Sequence, residues 1–208
     1  MKNIAVFVSG GGTNLQSLLD AVESGAISGG KIVLVFSNKK NAYGLERAKK
    51  YNVHTLHMAP GDFASAAEYD RQLASVLNEK KIGLVCLAGY MKILTKEFLD
   101  SYKGDIMNVH PALLPSFGGP GMYGIHVHEA VIASGVKISG CTVHFVDYGT
   151  DTGPIIIQKA VEVAQDDTPE SLQKKILPFE HMAYAEAVKL YCAGRLEIKQ
   201  KRVFVRES

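Results

Sequence analysis

The sequence predicts an α/β protein with a mostly parallel, twisted central sheet flanked by helices. Short apolar runs alternate along the chain with segments whose apolar residues recur at helical spacing. The runs are rich in Val, Ile and Leu, which is typical of parallel strands buried on both faces. The length of 208 residues suits one large domain, or two small ones sharing a core, and we expect a single domain over residues 1–208.

The first half reads as repeated strand–helix units. Gly25 follows the first helical pattern and can end that helix, and Ser65 with Glu68 forms a capping box for the third helix. Parallel neighbours joined by helices require right-handed crossovers. We predict strands at 3–9, 31–37, 53–57, 83–89 and 105–109, and helices at 14–22, 43–51, from about 66, and at 96–102.

The second half is organised differently. Thr168 followed by Pro169 indicates the start of a long helix, which should reach about Cys192 with a bend or break near Pro178. The tail has the pattern of a final edge hairpin. We also predict a helix at 126–134 and strands at 140–146 and 154–163.

Composition narrows the class of protein. The net charge of +2 argues against a protein built mainly to bind nucleic acid or a membrane surface. No apolar run is long enough for a transmembrane helix, and the N-terminus lacks the pattern of a signal peptide, so we expect a cytoplasmic protein. Three widely spaced cysteines argue against a disulfide framework or a zinc site, and Cys86 and Cys141, which lie inside apolar runs, are expected to be buried thiols.

A glycine-rich turn, SGGGTN at 9–14, joins the first strand to the first helix. Such a turn brings backbone N–H groups close together at a helix N-terminus, where an anion is favoured. It is not a dinucleotide fingerprint, because Leu15 stands where the third glycine belongs, and it lacks the Gly-Lys-Ser/Thr of a P-loop. Two interpretations stay open: a small phosphate-binding turn, with Thr13 or Asn14 capping the helix, or merely a tight connection.

Asn108 and His110 lie at the end of the strand predicted at 105–109, with Pro111 directly after them. Residues two apart in a strand point to the same side, and ligands of open α/β sheets bind beyond the carboxyl ends of strands. An amide donor beside a group of near-neutral pKa suits an acyl carbon whose oxygen becomes negative. The alternative is a His bonded to a backbone carbonyl at a strand end.

A catalytic His needs a group that orients it. The segment HFVDYGTDTGP offers Asp147 and Asp151 in a loop after another strand, and either could be an ordinary turn residue. Spacing does not choose between them. His144 alternates with apolar residues in its strand, which is typical of a structural or supporting residue. His126 and His128 start a helix and should diverge, which argues against a metal pair.

Taken together, these motifs resemble the folate-dependent formyltransferases. The segments SGGGTN, FSNKKNAYGLERAK, LAGYMKIL, NVHPALLP and TVHFVDYGTDTGPII occur in the order found in that family, from about residue 3 to about 195. The resemblance implies the formyltransferase fold, with a Rossmann-like, phosphate-binding half at 1–104 and a catalytic, folate-binding half at 105–208. SGGGTN further resembles the members that act on a phosphorylated acceptor.

The resemblance implies a reaction. The amine of glycinamide ribonucleotide would attack the formyl carbon of 10-formyltetrahydrofolate, in de novo purine biosynthesis, through a tetrahedral intermediate. Asn108 would donate to the oxyanion, and His110, as imidazolium, would assist it and supply a proton to the leaving nitrogen. Asp151, chosen over Asp147 by the family pattern, would orient His110 and raise its pKa. No metal is implied.

The same resemblance assigns the binding residues. Substrate contacts fall on Gly12, Thr13 and Asn14 for the phosphate and on Glu180 for the ribose or glycinamide side. Folate contacts fall on Met91, Lys92, Ile93, Leu94, Asn108, Asp147, Tyr148, Gly149, Thr150 and Asp151. The glycines of SFGGPGMYG, at 116–124, would let that loop cover a bulky substrate.

Two positions depart from the family pattern. Lys92 stands where many members carry Arg, so contact with the glutamate tail of folate should be looser, since Lys is a point charge rather than a fork. Ala66 occupies a position where another Arg is common. A chain of this length has no room for the additional domain of methionyl-tRNA formyltransferases or formyltetrahydrofolate hydrolases. We expect small-molecule substrates, no nucleic-acid or membrane partner, and a monomer or homodimer. The other class considered is a binding protein that holds folate or nucleotide without catalysis.

Overall fold

The computed structural model describes residues 1–207, and the chain divides into two compact units, Met1–Met107 and Asn108 onward. The boundary falls inside the strand Asp105–His110, close to the division expected at 104/105. The predicted fold class is confirmed, because parallel strands packed by helices build the first unit and a sheet packed by a long helix builds the second. That all 208 residues form a single domain stays a prediction.

The first unit holds four complete strands in the order β3-β2-β1-β4, all paired in parallel. Val and Phe side chains of β1 are fully buried, which is the pattern that predicted a strand covered on both faces. Its elements are β1 Lys2–Val8, α1 Thr13–Glu23, β2 Gly30–Ser37, α2 Tyr43–Lys50, β3 His54–His57, a 3-10 turn Pro60–Asp62, α3 Ala66–Glu79, β4 Ile82–Leu87, α4 Lys96–Ser101 and the start of β5 Asp105–His110.

The second unit contains strands in the order β6-β7-β9-β8. β6 and β7 pair antiparallel, and α6 packs against both of them and against α5. The C-terminal hairpin predicted from the tail is confirmed as an antiparallel pair. The elements are α5 Ile125–Ser134, β6 Ile138–Phe145, β7 Ile155–Glu162, α6 Pro169–Cys192, β8 Leu196–Lys199 and β9 Arg202–Val205.

Helix ends agree with the sequence in two places. Gly25 takes a left-handed conformation just after α1, and its N–H donates to the carbonyl of Val22 at 3.2 Å. Ser65 accepts from the N–H of Glu68, while the Glu68 carboxylate reaches back to the N–H of Ala64 rather than to Ser65. The third helix is therefore capped at the predicted residue.

Of the bend or break predicted near Pro178 in the last helix, the break is wrong. α6 is one helix from Pro169 to Cys192 and continues through Pro178. A proline inside a helix removes one backbone N–H donor and is unfavourable. Here the flanking turns bury Ile176 and Glu180 on one side of the helix, so tertiary packing outweighs the local cost.

Within residues 1–207, no helix combines the length and apolar character needed to cross a bilayer.

Candidate active site

Asn108 and His110 lie at the C-terminal end of strand β5, as predicted from the sequence. His110 is buried, with 3% of its surface exposed, and Pro111 follows it. As alternate residues of one strand, the two side chains leave the backbone on the same side. Their surroundings in the second unit can therefore be compared residue by residue.

Both ring nitrogens of His110 have an oxygen neighbour. Nε2 lies 2.8 Å from the carbonyl oxygen of Phe117, and Nδ1 lies 3.6 Å from Oδ2 of Asp151. A carbonyl only accepts, so Nε2 carries a proton and donates it to Phe117. A second proton, on Nδ1, would face the Asp151 carboxylate.

Asp151 connects two imidazoles. Its Oδ1 lies 3.6 Å from Nε2 of His144, and its Oδ2, the oxygen nearer to His110, accepts the N–H of Gly119 at 3.0 Å. The residue adopts a left-handed backbone with φ of 58°, an uncommon conformation that Asp tolerates. The loop geometry thus directs this carboxylate between the two rings.

The glycine-rich loop after His110 contacts Asp151 directly. A Cβ added at Gly118 would lie 2.5 Å from a methyl carbon of Leu114 and 3.2 Å from Cβ of Asp151. A side chain at Gly118 would require Leu114 and Asp151 to shift, and at the next residue Gly119 donates its N–H to the carboxylate. These two glycines therefore serve the Asp151 contact, in addition to the covering role expected for the loop.

His144 fixes the orientation of Asn108. Nδ1 of His144 lies 2.8 Å from the carbonyl oxygen of Phe145, so Nδ1 carries the proton in the neutral ring. Nε2 then accepts from Nδ2 of Asn108 at 3.3 Å. This contact assigns the two ends of the Asn108 amide and leaves its second N–H hydrogen able to donate elsewhere. His144 is a positioning residue whose neighbours the strand pattern did not identify.

Burial gives His110 a lowered pKa, whereas the expected upward effect of Asp151 is present but smaller. Burial lowers the pKa of His110 and is the largest influence, while Asp151 and the Phe117 carbonyl act in the opposite direction without overcoming it. Asp151 therefore has the sign that the electrostatics predict, but the buried position outweighs it. His110 starts as a neutral ring at neutral pH.

The Asp151 carboxyl is held in its ionised form. Burial opposes ionisation, yet the contacts with His144, His110 and the Gly119 N–H together lower its pKa below the ordinary value. With both pKa values lowered, the Asp151 carboxylate is ionised while His110 is neutral. The two groups therefore attract each other strongly only after His110 gains a proton. The cluster formed by Asn108, His110, His144 and Asp151 is named the imidazole–carboxylate cluster below.

Asp147 has a different environment from Asp151. Its Oδ1 accepts the N–H of Gly149 at 3.1 Å and the hydroxyl of Thr152 at 2.6 Å, which closes a turn. The loop at 147–151 places Tyr148 outward, with 71% of its surface exposed. The choice that spacing left open is thus resolved geometrically in favour of Asp151 as the neighbour of His110.

His126 and His128 diverge as predicted. His126 is exposed and its Nδ1 contacts Glu129 at 2.9 Å, whereas His128 is buried with 1% of its surface exposed. Burial lowers the pKa of His128, and its Nδ1 has no hydrogen-bond partner. Across residues 1–207, no group of three or more His, Cys, Asp or Glu side chains is arranged to hold a metal ion.

The glycine turn of the first unit provides no side-chain cap for α1, which corrects one expectation. Gly12 is the N-cap of α1, with φ of 70°, and no side chain caps the helix, so neither Thr13 nor Asn14 has the predicted capping role. A Cβ at Gly12 would lie 2.9 Å from Cα of Gly44, so α2 packs directly on the turn. Thr13 is exposed and Asn14 is buried.

α2 also binds the carbonyls of this turn. The N–H of Gly44 donates to Gly10 at 3.0 Å, and Nε of Arg47 donates to the carbonyl of Gly11 at 2.8 Å. Arg47 additionally donates to the side chain of Gln16 at 2.9 Å. Arg47 was not among the predicted site residues. The only sequence signal for it is a cation in the helix after the second strand.

The predicted folate segment follows β4 without regular structure. Met91 and Ile93 are exposed, with 45% and 64% of their surfaces accessible, and the N–H of Met91 donates to Ser9 at 3.0 Å. Lys92 is paired with Asp70 rather than extended into solvent. Glu180 lies in α6 and is buried. The structure therefore brings together Asn108, His110 and Asp151. The predicted residues that belong to the first unit are Gly12, Thr13, Asn14 and Met91–Leu94.

Comparison with known proteins identifies the family of this chain. The formyl transferase family matches residues 2–188. A protein of Arabidopsis thaliana named phosphoribosylglycinamide formyltransferase, chloroplastic, is 41% identical over 207 residues, covering 97% of this chain and 69% of that protein. The trifunctional purine biosynthetic protein adenosine-3 of Drosophila melanogaster is 41% identical over 194 residues, covering 93% of this chain but only 14% of the fly protein.

A solved structure extends the similarity to the fold. The glycinamide ribonucleotide transformylase 1 of Symbiobacterium toebii has a TM-score of 0.93 and 43% identity, covering 100% of this chain and 95% of the other. The resemblance inferred from the motifs is confirmed, and this chain belongs to the formyl transferase family.

Proposed function

We propose that this chain transfers a formyl group from 10-formyltetrahydrofolate to the amine of glycinamide ribonucleotide, a step of de novo purine biosynthesis. The observation that carries the proposal is the imidazole–carboxylate cluster, in which an oriented amide, a neutral buried imidazole and an ionised carboxylate are adjacent. The names of the plant and bacterial relatives support this acceptor.

The donor supplies an activated formyl carbon, and the chain has residues that fit such a molecule. Exposed Met91 and Ile93 offer apolar contacts to a flat ring, which is the usual lining of a small-molecule site. The loop at 147–151, closed by the Asp147 turn, would cover the donor. Leu94, Tyr148, Gly149 and Thr150 complete the proposed donor contacts.

Asn108 stabilises the oxygen that becomes negative when the amine attacks. One N–H of its side chain is already bonded to His144, so the amide is oriented before substrate arrives. A preoriented donor costs little reorganisation when charge develops, and such a contact typically contributes about 100-fold or more to the rate.

His110 moves the proton. The neutral ring takes the proton that the attacking amine releases, at Nδ1, where Asp151 stabilises the resulting imidazolium. The same proton is then given to the leaving nitrogen as its bond to the formyl carbon breaks. Phe117 holds the opposite nitrogen throughout, so the ring keeps its orientation.

The glycine turn suits the phosphate of the acceptor. The C=O and N–H of one trans peptide point in opposite directions. Because α2 binds the carbonyls of Gly10 and Gly11, the N–H groups of Gly11 and Gly12 point away from α2, where they can bind an anion. Gly12, Thr13 and Asn14 are the proposed phosphate residues, and Glu180 would contact the ribose or glycinamide side.

The experiment is a spectroscopic formyl-transfer assay with one donor and four acceptors. Purified protein is given 10-formyltetrahydrofolate with glycinamide ribonucleotide, its dephosphorylated riboside, methionyl-tRNA, or water alone. Rapid transfer to the ribonucleotide, slower transfer to the riboside and none to the other two supports the proposal. Preferential transfer to methionyl-tRNA or to water contradicts the acceptor assignment, and donor binding without any transfer favours a binding protein. The cytoplasmic location and the monomeric or homodimeric state remain predictions.

A further inference from the structure

The 90–95 segment, which connects β4 to α4, is anchored at three consecutive residues. The Tyr90 hydroxyl lies 3.3 Å from the hydroxyl of Tyr69, and the N–H of Met91 donates to Oγ of Ser9 at 3.0 Å. Nζ of Lys92 lies 3.1 Å from Oδ1 of Asp70. These anchors fix the backbone while the segment exposes its apolar side chains to solvent.

Asp70 is the buried centre of this arrangement. Its side chain is 1% exposed, and a carboxylate so placed is unfavourable unless charges and hydrogen bonds compensate it. Lys92 provides the opposite charge, and Thr95 donates its hydroxyl to the other carboxylate oxygen. Thr95 also caps α4 by accepting the N–H of Phe98. One carboxylate from α3 therefore holds both ends of residues 92–95.

The ammonium group of Lys92 is already paired with the Asp70 carboxylate. Its side chain is 22% exposed, and the ammonium lies 4.8 Å from the centre of the Tyr69 ring. An anionic group of a ligand would have to compete with a buried carboxylate at hydrogen-bond distance. The sequence expectation of a Lys92 contact with the glutamate tail does not fit this geometry.

We propose that Lys92 and Asp70 are positioning residues that set the shape of the 90–95 segment for the donor, and that Lys92 does not bind the glutamate tail. The inference rests on the proposed function for the identity of the donor. It concerns how the chain holds the donor's ring system, because the exposed side chain of Met91 belongs to the anchored segment.

Two donors separate positioning from tail binding. The first is 10-formyltetrahydrofolate, and the second is 10-formyltetrahydropteroate, which lacks the glutamate. Dissociation constants are measured by calorimetry, and KM and kcat by the transfer assay. For Lys92→Met we expect both donor dissociation constants to rise by about 10-fold, the effect of losing one charged hydrogen bond. The KM for the ribonucleotide should stay within about twofold, since the phosphate turn is unchanged.

Companion variants sharpen the result. Lys92→Arg keeps the charge beside Asp70 and should retain most of the affinity for both donors, whereas Asp70→Asn should reproduce the pattern of Lys92→Met. Lys96→Met is the matched control, because Lys96 is an exposed cation that pairs with Asp100 on α4. Its donor constants should not change.

Loss of a buried partner can unfold a protein by leaving the other charge uncompensated. The double variant Asp70→Asn with Lys92→Met removes both charges together, and thermal unfolding is followed for every variant. In a folded variant, equal weakening for both donors supports positioning. Weakening confined to the donor with glutamate, or unchanged binding of both, overturns it. Calorimetric binding does not depend on turnover, so failure of formyl transfer by the unsubstituted protein would contradict the proposed function while still testing this inference.

Discussion

Two buried aspartates, one in each unit, have different kinds of partner. Asp70 is 1% exposed and binds the ammonium of Lys92 and the hydroxyl of Thr95. Asp151 is 10% exposed and lies 3.6 Å from one nitrogen of His110 and of His144. The first has a permanently charged neighbour, and the second has two neighbours whose charge depends on a proton.

This difference separates structural support from chemistry. A carboxylate paired with Lys is compensated at every pH near neutrality, so it can fix a segment of chain but gains nothing from a moving proton. A carboxylate beside imidazoles gains a strong ionic partner only when a ring is protonated. The surroundings of a buried Asp therefore indicate its role better than its burial does.

The largest effect should come from His110, the proposed proton carrier of the cluster. His110→Asn keeps a polar side chain at the end of β5 but removes the group that takes and returns the proton. We expect kcat to fall by at least about 100-fold, the lower range for loss of general acid–base catalysis. Steady-state kinetics give the change, and thermal unfolding verifies that the fold persists.

His126→Asn is the matched control for that substitution. His126 is exposed on α5, and within residues 1–207 its ring forms an ion pair with Glu129 alone. Turnover should stay near that of the unsubstituted protein. Near-normal turnover of His110→Asn as well would remove the reason for distinguishing the two aspartates.

The next largest effect should come from Asp151. Asn at this position can still accept the N–H of Gly119, so the loop should keep its conformation while the negative charge is lost. We expect kcat to fall by about 10- to 100-fold, because the imidazolium formed during transfer loses its stabilising partner. The same substitution at Asp70 should instead weaken donor binding and stability, with kcat at saturating donor nearly retained.

The pH dependence gives the sign of the Asp151 effect. Burial lowers the pKa of His110, and Asp151 opposes that shift, so Asp151→Asn should lower the pKa of His110 further. A reaction that starts from neutral His110 loses rate as pH falls through this pKa. The low-pH limb of the kcat/KM profile should therefore move to lower pH, and an unmoved limb would show that the two groups are not coupled.

Much of this site could be predicted from sequence because side chains alternate regularly along a strand. Asn108 and His110 are two residues apart at a strand end, which fixes their common side, and the apolar runs located that end correctly. The family pattern then selected Asp151, and the geometry agrees. The prediction for Asn108 and His110 depends on backbone periodicity, which a single sequence carries, whereas the choice of Asp151 depended on the family resemblance.

What the sequence missed depends on contacts between distant segments. The tautomer of His144 is set by a carbonyl of its own strand, but its role appears only beside Asn108, 36 positions earlier. Lys92 faces Asp70, 22 positions earlier, and no local signal reports that the charge is already paired. The cap at Gly12 likewise follows from packing against Gly44, which spacing within one helix cannot reveal.

The smallest effect should come from Asp147, the other carboxylate of the loop that carries Asp151. Its Oδ1 accepts from Gly149 and Thr152, and an Asn side-chain oxygen can accept both bonds. We expect Asp147→Asn to change kcat by less than about twofold, since only bonds to neutral donors are involved. Asp147→Ala, which loses both bonds, should destabilise the protein by about 1 kcal/mol and raise the donor KM while sparing kcat.

The pair of substitutions at 147 and 151 tests the comparison within one loop. Both replace a carboxylate by an amide of the same shape, both sites lie between β6 and β7, and neither side chain is fully exposed. The two differ in whether the carboxylate faces neutral hydrogen-bond donors or imidazoles. Side-by-side kinetics and thermal unfolding should therefore give a large loss of kcat only for Asp151→Asn. An equal loss for Asp147→Asn would mean that negative charge anywhere in this loop drives the reaction, and that the imidazole neighbours of Asp151 are not the deciding feature.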